Sequence, residues 1–114
     1  MRGLAKATIC GNLTADPQSK QIGDSTLVTT SIACNDKNMD GSEYTSFFNI
    51  EAWGKAGEIL AMVGTGDGLL VECKMRQDRF EQEDSGGKVV KRDKTRLKVI
   101  ELRFLGSRGR DGND

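Results

Sequence analysis

The sequence predicts an all-β fold: a closed barrel of five strands with one short helix between the third and fourth. Three observations carry this. Five runs with the two-residue alternation of a half-buried strand are separated by segments rich in Gly, Asn, Asp and Ser. One segment alone, 54–63, changes to three- and four-residue spacing. Fourteen glycines in 114 residues, with a single proline, suit short strands joined by tight turns.

The first strand is expected over 4–13, "LAKATICGNL", where small and β-branched residues dominate. "TADPQSKQIGDS" follows as a loop holding Pro17 and a Gly-Asp turn signal. "TLVTTSIAC", 26–34, is a β-prone second strand, and "NDKNMDGSE" a polar turn. The third strand, 44–53, places Phe48, Ile50 and Ala52 on its core face. In the helix Ala56, Ile59, Leu60 and Val63 share one side, and Gly64 stops it. The fourth strand, 69–80, turns Leu69, Val71, Cys73 and Met75 inward. A hairpin tip around Gly86-Gly87, expected to be mobile, leads to a fifth strand at 95–106. There Leu97, Val99 and Glu101 oppose Lys98, Ile100 and Leu102. Three strands, a helix and two strands match the order of an OB-type barrel, with the helix plugging one end. An SH3-like barrel lacks a helix at that point, and a ferredoxin-like sheet needs two. The domain is expected to span 1–106, with 107–114, "SRGRDGND", as a flexible C-terminal tail.

Several function classes fall away. No run of about 18 apolar residues is present to span a membrane, and "MRGLAKATICGNL" lacks the form of a signal peptide. The chain has no histidine, so the commonest general base and zinc ligand are missing. Cys10, Cys34 and Cys73 sit in separate strand-like runs, which suits small buried residues in a reducing compartment and gives no metal pair. "GTGDG", 64–68, follows the helix and lacks a Lys-Ser/Thr, so it reads as a turn instead of a phosphate loop. Asp36, Asp40 and Glu43 share a glycine-containing turn where no cleft would hold a metal. The expectation is a binding protein, not an enzyme, with no cofactor and no metal.

The net charge of zero hides an asymmetry. Residues 1–73 hold five basic and nine acidic side chains, whereas 74–110 hold twelve basic and six acidic. The chain has six aromatic residues, and four stand between Tyr44 and Trp53. Alternation turns Phe47, Asn49, Glu51 and Trp53 away from the core, so two large rings lie on the face that should be wet. Either a partner subunit or long loop covers them, or they form a platform for a flat ligand. Phe80, Lys74 and Arg76 share the outer side of the fourth strand. Rings interleaved with cations suit unpaired nucleic-acid bases, which stack on the rings while cations neutralise phosphates. Such a site reads strandedness more than sequence.

"GNLTADP" resembles the GNLxxDP motif that ends the first strand of bacterial-type single-stranded DNA-binding proteins. "TSFFNIEAWGKAGE" is similar to their third strand and following helix, and "LLVECKMRQDRF" to their fourth strand. The resemblance runs from about Lys6 to Leu105 in matching order. It implies sequence-independent binding and protection of single-stranded DNA during replication, recombination and repair. The family's stacking aromatics fall at Phe47, Trp53 and Phe80, and Asn49 shares their face. Lys74, Arg76 and Arg79, with Lys88, Lys91, Arg92, Lys94 and Arg96 around the hairpin, are the expected phosphate contacts. The hairpin cluster is read either as a solvated basic surface or as a flap that wraps the DNA backbone. A further family aromatic is absent near Lys37 or Asn38, and Glu51 would repel phosphate.

The resemblance also implies a homo-oligomer, a tetramer in preference to a dimer, through the first strand. The family's acidic tail, which docks replication and repair proteins, has only Asp111 and Asp114 in its place, as expected either of a chain that has been cut short or of a short form such as a phage or plasmid version. The expected location is the cytoplasm, at the bacterial nucleoid or in a phage host, with no membrane association. Two rivals stand beside this reading: a primosome-type OB-fold accessory protein acting mainly through protein partners, and an OB-fold module that binds no nucleic acid.

Overall fold

The computed structural model describes residues 1–107. Its elements are β1 (Lys6–Leu13), β2 (Gln18–Ile22), β3 (Ser25–Lys37), β4 (Glu43–Trp53), α1 (Gly54–Leu60), β5 (Gly68–Glu83) and β6 (Val89–Gly106). Neighbouring strands run in the order β1-β5-β6-β4-β3-β2, and a β1–β3 pairing joins the ends into a ring of five, with β2 outside it. This is the expected OB-type barrel with α1 between the third and fourth barrel strands. The tail expected at 107–114 lies outside the described residues apart from Ser107. No described helix is long and apolar enough to cross a membrane.

Alternation builds the core. Ile9 and Leu13, Val28 and Ile32, Ile50 and Ala52, Leu69, Val71 and Cys73, and Leu97 and Val99 all point inward and are buried. Leu60 of α1 closes one end of this cluster and is fully buried. Gly54 makes the strand-to-helix corner possible, because its φ of 56° lies in the left-handed region that a side chain disfavours. Phe48 is only half-buried and packs against this core from outside it.

The structure departs from the sequence reading in several places. The segment 14–25 is not all loop: β2 pairs with β3 from Gln18↔Thr29 to Ile22↔Ser25 around a two-residue turn at Gly23-Asp24. All five β2 residues are exposed, so no apolar stripe announces the strand. The helix ends at Leu60 instead of running towards Gly64. In β6, Ile100 is an extra residue, because Cys73 pairs with Val99 and Glu72 with Glu101. This irregularity reverses the alternation beyond it, so Glu101 is exposed and Leu102 packs against the core. Met75 is 40% exposed because β5 has by then left the barrel for the projecting hairpin. Only Cys73 is fully buried among the cysteines; Cys34 is intermediate and Cys10 exposed, since Cys10 alternates with inward-facing Ile9 and Gly11. Burial pushes the Cys73 thiol up to about 11, with neighbouring Glu72 adding to the effect.

The "GNLTADP" segment has a structural role. A Cβ on Gly11 would run into the carbonyl oxygen of Ala33, so only glycine lets β1 and β3 approach. Asn12 donates from Nδ2 to the carbonyl of Gly66 at 3.0 Å, and the Gly66 N–H donates to the carbonyl of Leu13 at 2.8 Å. Asp16 Oδ1 accepts from both the backbone N–H and the Oγ1 of Thr65, each at 2.8 Å. These bonds tie the β1–β2 connection to the turn before β5. "GTGDG" is that turn, closed by Asp67 N–H to the carbonyl of Gly64 and by Gly64 N–H to Asp67 Oδ2. Likewise Asp40 accepts from the N–H and Oγ of Ser42, which folds the β3–β4 turn. Among the described residues no three potential metal ligands gather.

Two outcomes follow. Ile50→Ala should destabilise the fold by about 2–5 kcal/mol in a urea melt, and Phe48→Ala by less than a buried aromatic ordinarily would, because Phe48 is half-solvated. The amide of Thr65, then its hydroxyl, holds the Asp16 carboxyl below its ordinary value. A folded value below the unfolded one means stabilisation that is present above the unfolded value of about 3.9 and lost as pH falls through the folded value. The stability gap between the native protein and Asp16→Asn should therefore narrow in urea melts taken from about pH 6 down to about pH 3.

Candidate nucleic-acid interface

Three strands supply one continuous outer face. On β4, residues 47, 49, 51 and 53 point away from the core; Phe47 is 67% exposed and Trp53 half-buried. Phe47 and Trp53 are six residues apart, or about 20 Å along an extended strand. On the β5–β6 hairpin, register places Lys74 opposite Lys98, Arg76 opposite Arg96, Asp78 opposite Lys94 and Phe80 opposite Arg92. Facing residues of an antiparallel pair share a side, so all eight stand together. Phe80 is 43% exposed. The two surfaces meet where β4 and β6 pair in parallel, at Glu51↔Lys98.

The hairpin has a second side. Arg79 pairs with Asp93 and Glu81 with Lys91 in register, and both pairs face away from Phe80. Arg79 Nε donates to Asp93 Oδ1 at 3.0 Å. Strand parity therefore separates Arg79 and Lys91 from the other expected phosphate contacts. Lys88 sits at the tip, where its backbone N–H donates to Asp84 Oδ1. Asn49 lies on the aromatic side and lines a groove with Lys94, Thr95 and Arg96.

Two cations escaped the sequence reading of the site. Lys98 lies in the outward row of β6 and completes the basic strip. Lys20 is opposite Leu27, which is opposite Trp53, so β2 carries a cation to the flank of the indole. The Gly-Asp turn was the available signal for Lys20, since a two-residue turn between short runs marks a hairpin. For Lys98 the alternation of "LKV" was sufficient.

At the centre, charge is paired. Arg96 donates from Nε and Nη2 to Glu51 Oε1 and Oε2, at 2.9 and 2.8 Å, a bidentate bridge from β6 to β4. Its Nη1 donates to Asp78 Oδ2 at 3.3 Å. Arg76 donates from Nε and Nη2 to the two oxygens of Asp78, at 2.7 and 3.3 Å. Trp53 Nε1 donates to Glu51 Oε2 at 3.3 Å, which orients the indole. The pairing, Arg76 foremost, holds the Asp78 carboxyl below its ordinary value, and Glu51 and then Asp78 raise the Arg96 guanidinium. Lys74, Lys94, Lys98 and Arg92, by contrast, have no ion pair with a described residue. Trp53, Lys74, Met75, Arg76, Arg96 and Lys98, with Glu51 among them, line a groove of about 570 Å³. The chemistry on offer is flat apolar surface between positive charges, with no nucleophile-and-base pair.

Comparison with known proteins points the same way. Residues 4–105 match the family model described as "Single-strand binding protein family". A protein of Xylella fastidiosa named single-stranded DNA-binding protein is 31% identical, over 97% of this chain and 69% of its own length. One of Treponema pallidum with the same name is 29% identical over 94% of this chain. The chain spans 61% of that protein's length, and 61% of a similar Xanthomonas axonopodis protein. The crystal structure of a small single-stranded DNA-binding protein from Streptomyces coelicolor superposes with a TM-score of 0.72, covering 95% of this chain and 100% of that one. Its sequence identity of 15% makes this a likeness of fold alone.

Proposed function

The chain belongs to the single-strand binding protein family, and on that premise we propose that it binds single-stranded DNA with little regard for sequence. The observation that carries the reading is the single face on which Phe47, Trp53 and Phe80 alternate with Lys74, Lys98, Lys94 and Arg92. Splayed bases stack on the rings, and the cations neutralise the phosphates between them. A duplex keeps its base faces stacked inside and cannot use the rings. Asn49 adds a neutral hydrogen-bonding group, Arg76 and Arg96 reach phosphate once their carboxylate partners yield, and Lys20 and Lys88 extend the path at its two ends. Arg79 and Lys91 are left outside that path because they face the other side of the hairpin. The biological role that fits is protection of exposed single strands in replication, recombination and repair, in the compartment that holds the DNA. The activity is binding, not catalysis. An accessory protein working mainly through protein partners is not favoured, since the relatives above are named for single-stranded DNA.

A homo-oligomer, a tetramer in preference to a dimer, fits the same fold. One edge of β1 is paired with β5 along residues 6–12, while the other meets β3 only at Asn12 and Leu13. The Cys10 carbonyl accepts from the Cys34 thiol at 3.1 Å, and the stretch before it, 6–9, has no registered β3 partner and is where a second copy can add. Light scattering at micromolar concentration should give a multiple of the 12.4 kDa chain mass, and a monomer mass refutes this assembly.

The binding reading is tested with fluorescently labelled oligo-dT. The native protein should bind it far more tightly than a duplex of equal length in the same buffer, and more weakly as salt rises. Trp53→Ala and Phe80→Ala should each cost about 1–3 kcal/mol of binding, a magnitude known from proteins of this kind, while thermal melts stay close to native. Equal affinity for single and double strands overturns the proposal.

A further inference from the structure

The binding face holds two carboxylates among its cations, and both are engaged. Glu51 takes the Nε and Nη2 fork of Arg96, and Asp78 takes the same fork of Arg76 together with Nη1 of Arg96. A guanidinium presents that fork to a carboxylate and to a phosphate in the same geometry. An arginine so held offers phosphate its remaining N–H groups, but not the Nε–Nη2 fork, until its carboxylate lets go. Glu51 is also half-sheltered, with 16% of its side chain exposed against 33% for Arg96, so solvent ions screen this pair less than a surface pair.

We propose that Glu51 and Asp78 act as an intrinsic competitor of DNA phosphate: they occupy Arg96 and Arg76 in the free protein and thereby set the affinity and salt dependence of strand binding. The inference rests on the DNA-binding reading of this face. In the free protein the four unpaired cations Lys74, Lys98, Lys94 and Arg92 supply the steering charge; Arg96 lies sheltered at the centre, and Arg76, though 69% exposed, has its Nε–Nη2 fork taken. A bound strand gains the Nε–Nη2 fork of either arginine only by displacing a carboxylate, which must then lie beside phosphate without its partner. Each carboxylate removed adds one net positive charge to the face and one unencumbered arginine fork. Neutralising one more phosphate steepens the slope of log affinity against log salt by about 0.7 for a single strand.

Glu51→Gln and Asp78→Asn test this, because both keep the shape and an acceptor oxygen while removing the charge. Binding of labelled oligo-dT is measured by fluorescence polarisation across a salt series, with a thermal melt for each variant. Glu51→Gln removes a charge that fastens the β4–β6 junction; Asp78→Asn leaves the Arg96–Glu51 bridge in place and keeps the test falsifiable if Glu51→Gln does not fold. Asp93→Asn, which frees Arg79 on the opposite side of the hairpin, is the control for net charge alone. The expected result is several-fold tighter binding at low salt and a slope steeper by about 0.7 for Asp78→Asn and for folded Glu51→Gln, with Asp93→Asn like the native protein. Unchanged or weaker binding by folded Asp78→Asn, or an equal gain from Asp93→Asn, overturns the inference while leaving the DNA-binding reading in place. If the native protein and every variant fail to bind oligo-dT at low salt, the DNA-binding reading itself falls, and this inference with it.

Discussion

The barrel depends on how β4 meets β6. Among the described residues this junction is the only parallel one in the ring, and it holds a single registered pair, Glu51↔Lys98, where β3–β4 and β5–β6 are long antiparallel ladders. With so little backbone bonding, side chains must join the strands. The bidentate bridge from Arg96 to Glu51 does so from outside, and Ile50, Ala52, Leu97 and Val99 do so from within. Burial is the larger contribution, since partly exposed ion pairs contribute little on their own. The bridge decides direction: it sets the aromatic face of β4 flush with the basic face of the hairpin.

The same bridge makes the face a compromise. Glu51 fastens the junction, orients the Trp53 indole through Nε1, and cancels the charge of the arginine best placed at the centre. A carboxylate that only repelled phosphate would be hard to understand on a DNA-binding surface. One that holds two strands together and positions a stacking ring has a structural reason to be there. Gly11, Asn12 and Asp16 lock the start of the chain to the turn before β5, and Asp16 also lines the groove that holds Asn49, Glu51, Lys94 and Arg96. That motif thus fastens the strands and borders the face.

The legible parts of the fold were those governed by one-dimensional periodicity. Alternation placed Ile50, Ala52, Leu69, Val71, Leu97 and Val99 inside and Phe47, Trp53 and Phe80 outside. It lost its hold where the periodicity changed without a local signal. β2 escaped because a strand exposed on both faces has no apolar stripe, and Lys20 escaped with it. Leu102 changed sides because of one unpaired residue, Ile100, whose extra length is defined only against β5. The two sides of the hairpin were implicit in strand parity, yet a cluster of cations reads as one patch until the register of Arg79 with Asp93 is known.

By itself, then, the sequence determined the strand-helix order, the inward set of apolar residues and the outward rings, and its motifs carried the family resemblance. All of these follow from the alternation of side chains along an extended backbone or from contiguous residues, and neither needs a partner strand. Which charges are free and which are paired is settled by the closed fold alone. Arg96 and Glu51 are 45 residues apart in the chain and meet across the junction that closes the ring. No local pattern marks such a pair, because its existence depends on closure of the barrel and on the register that closure imposes.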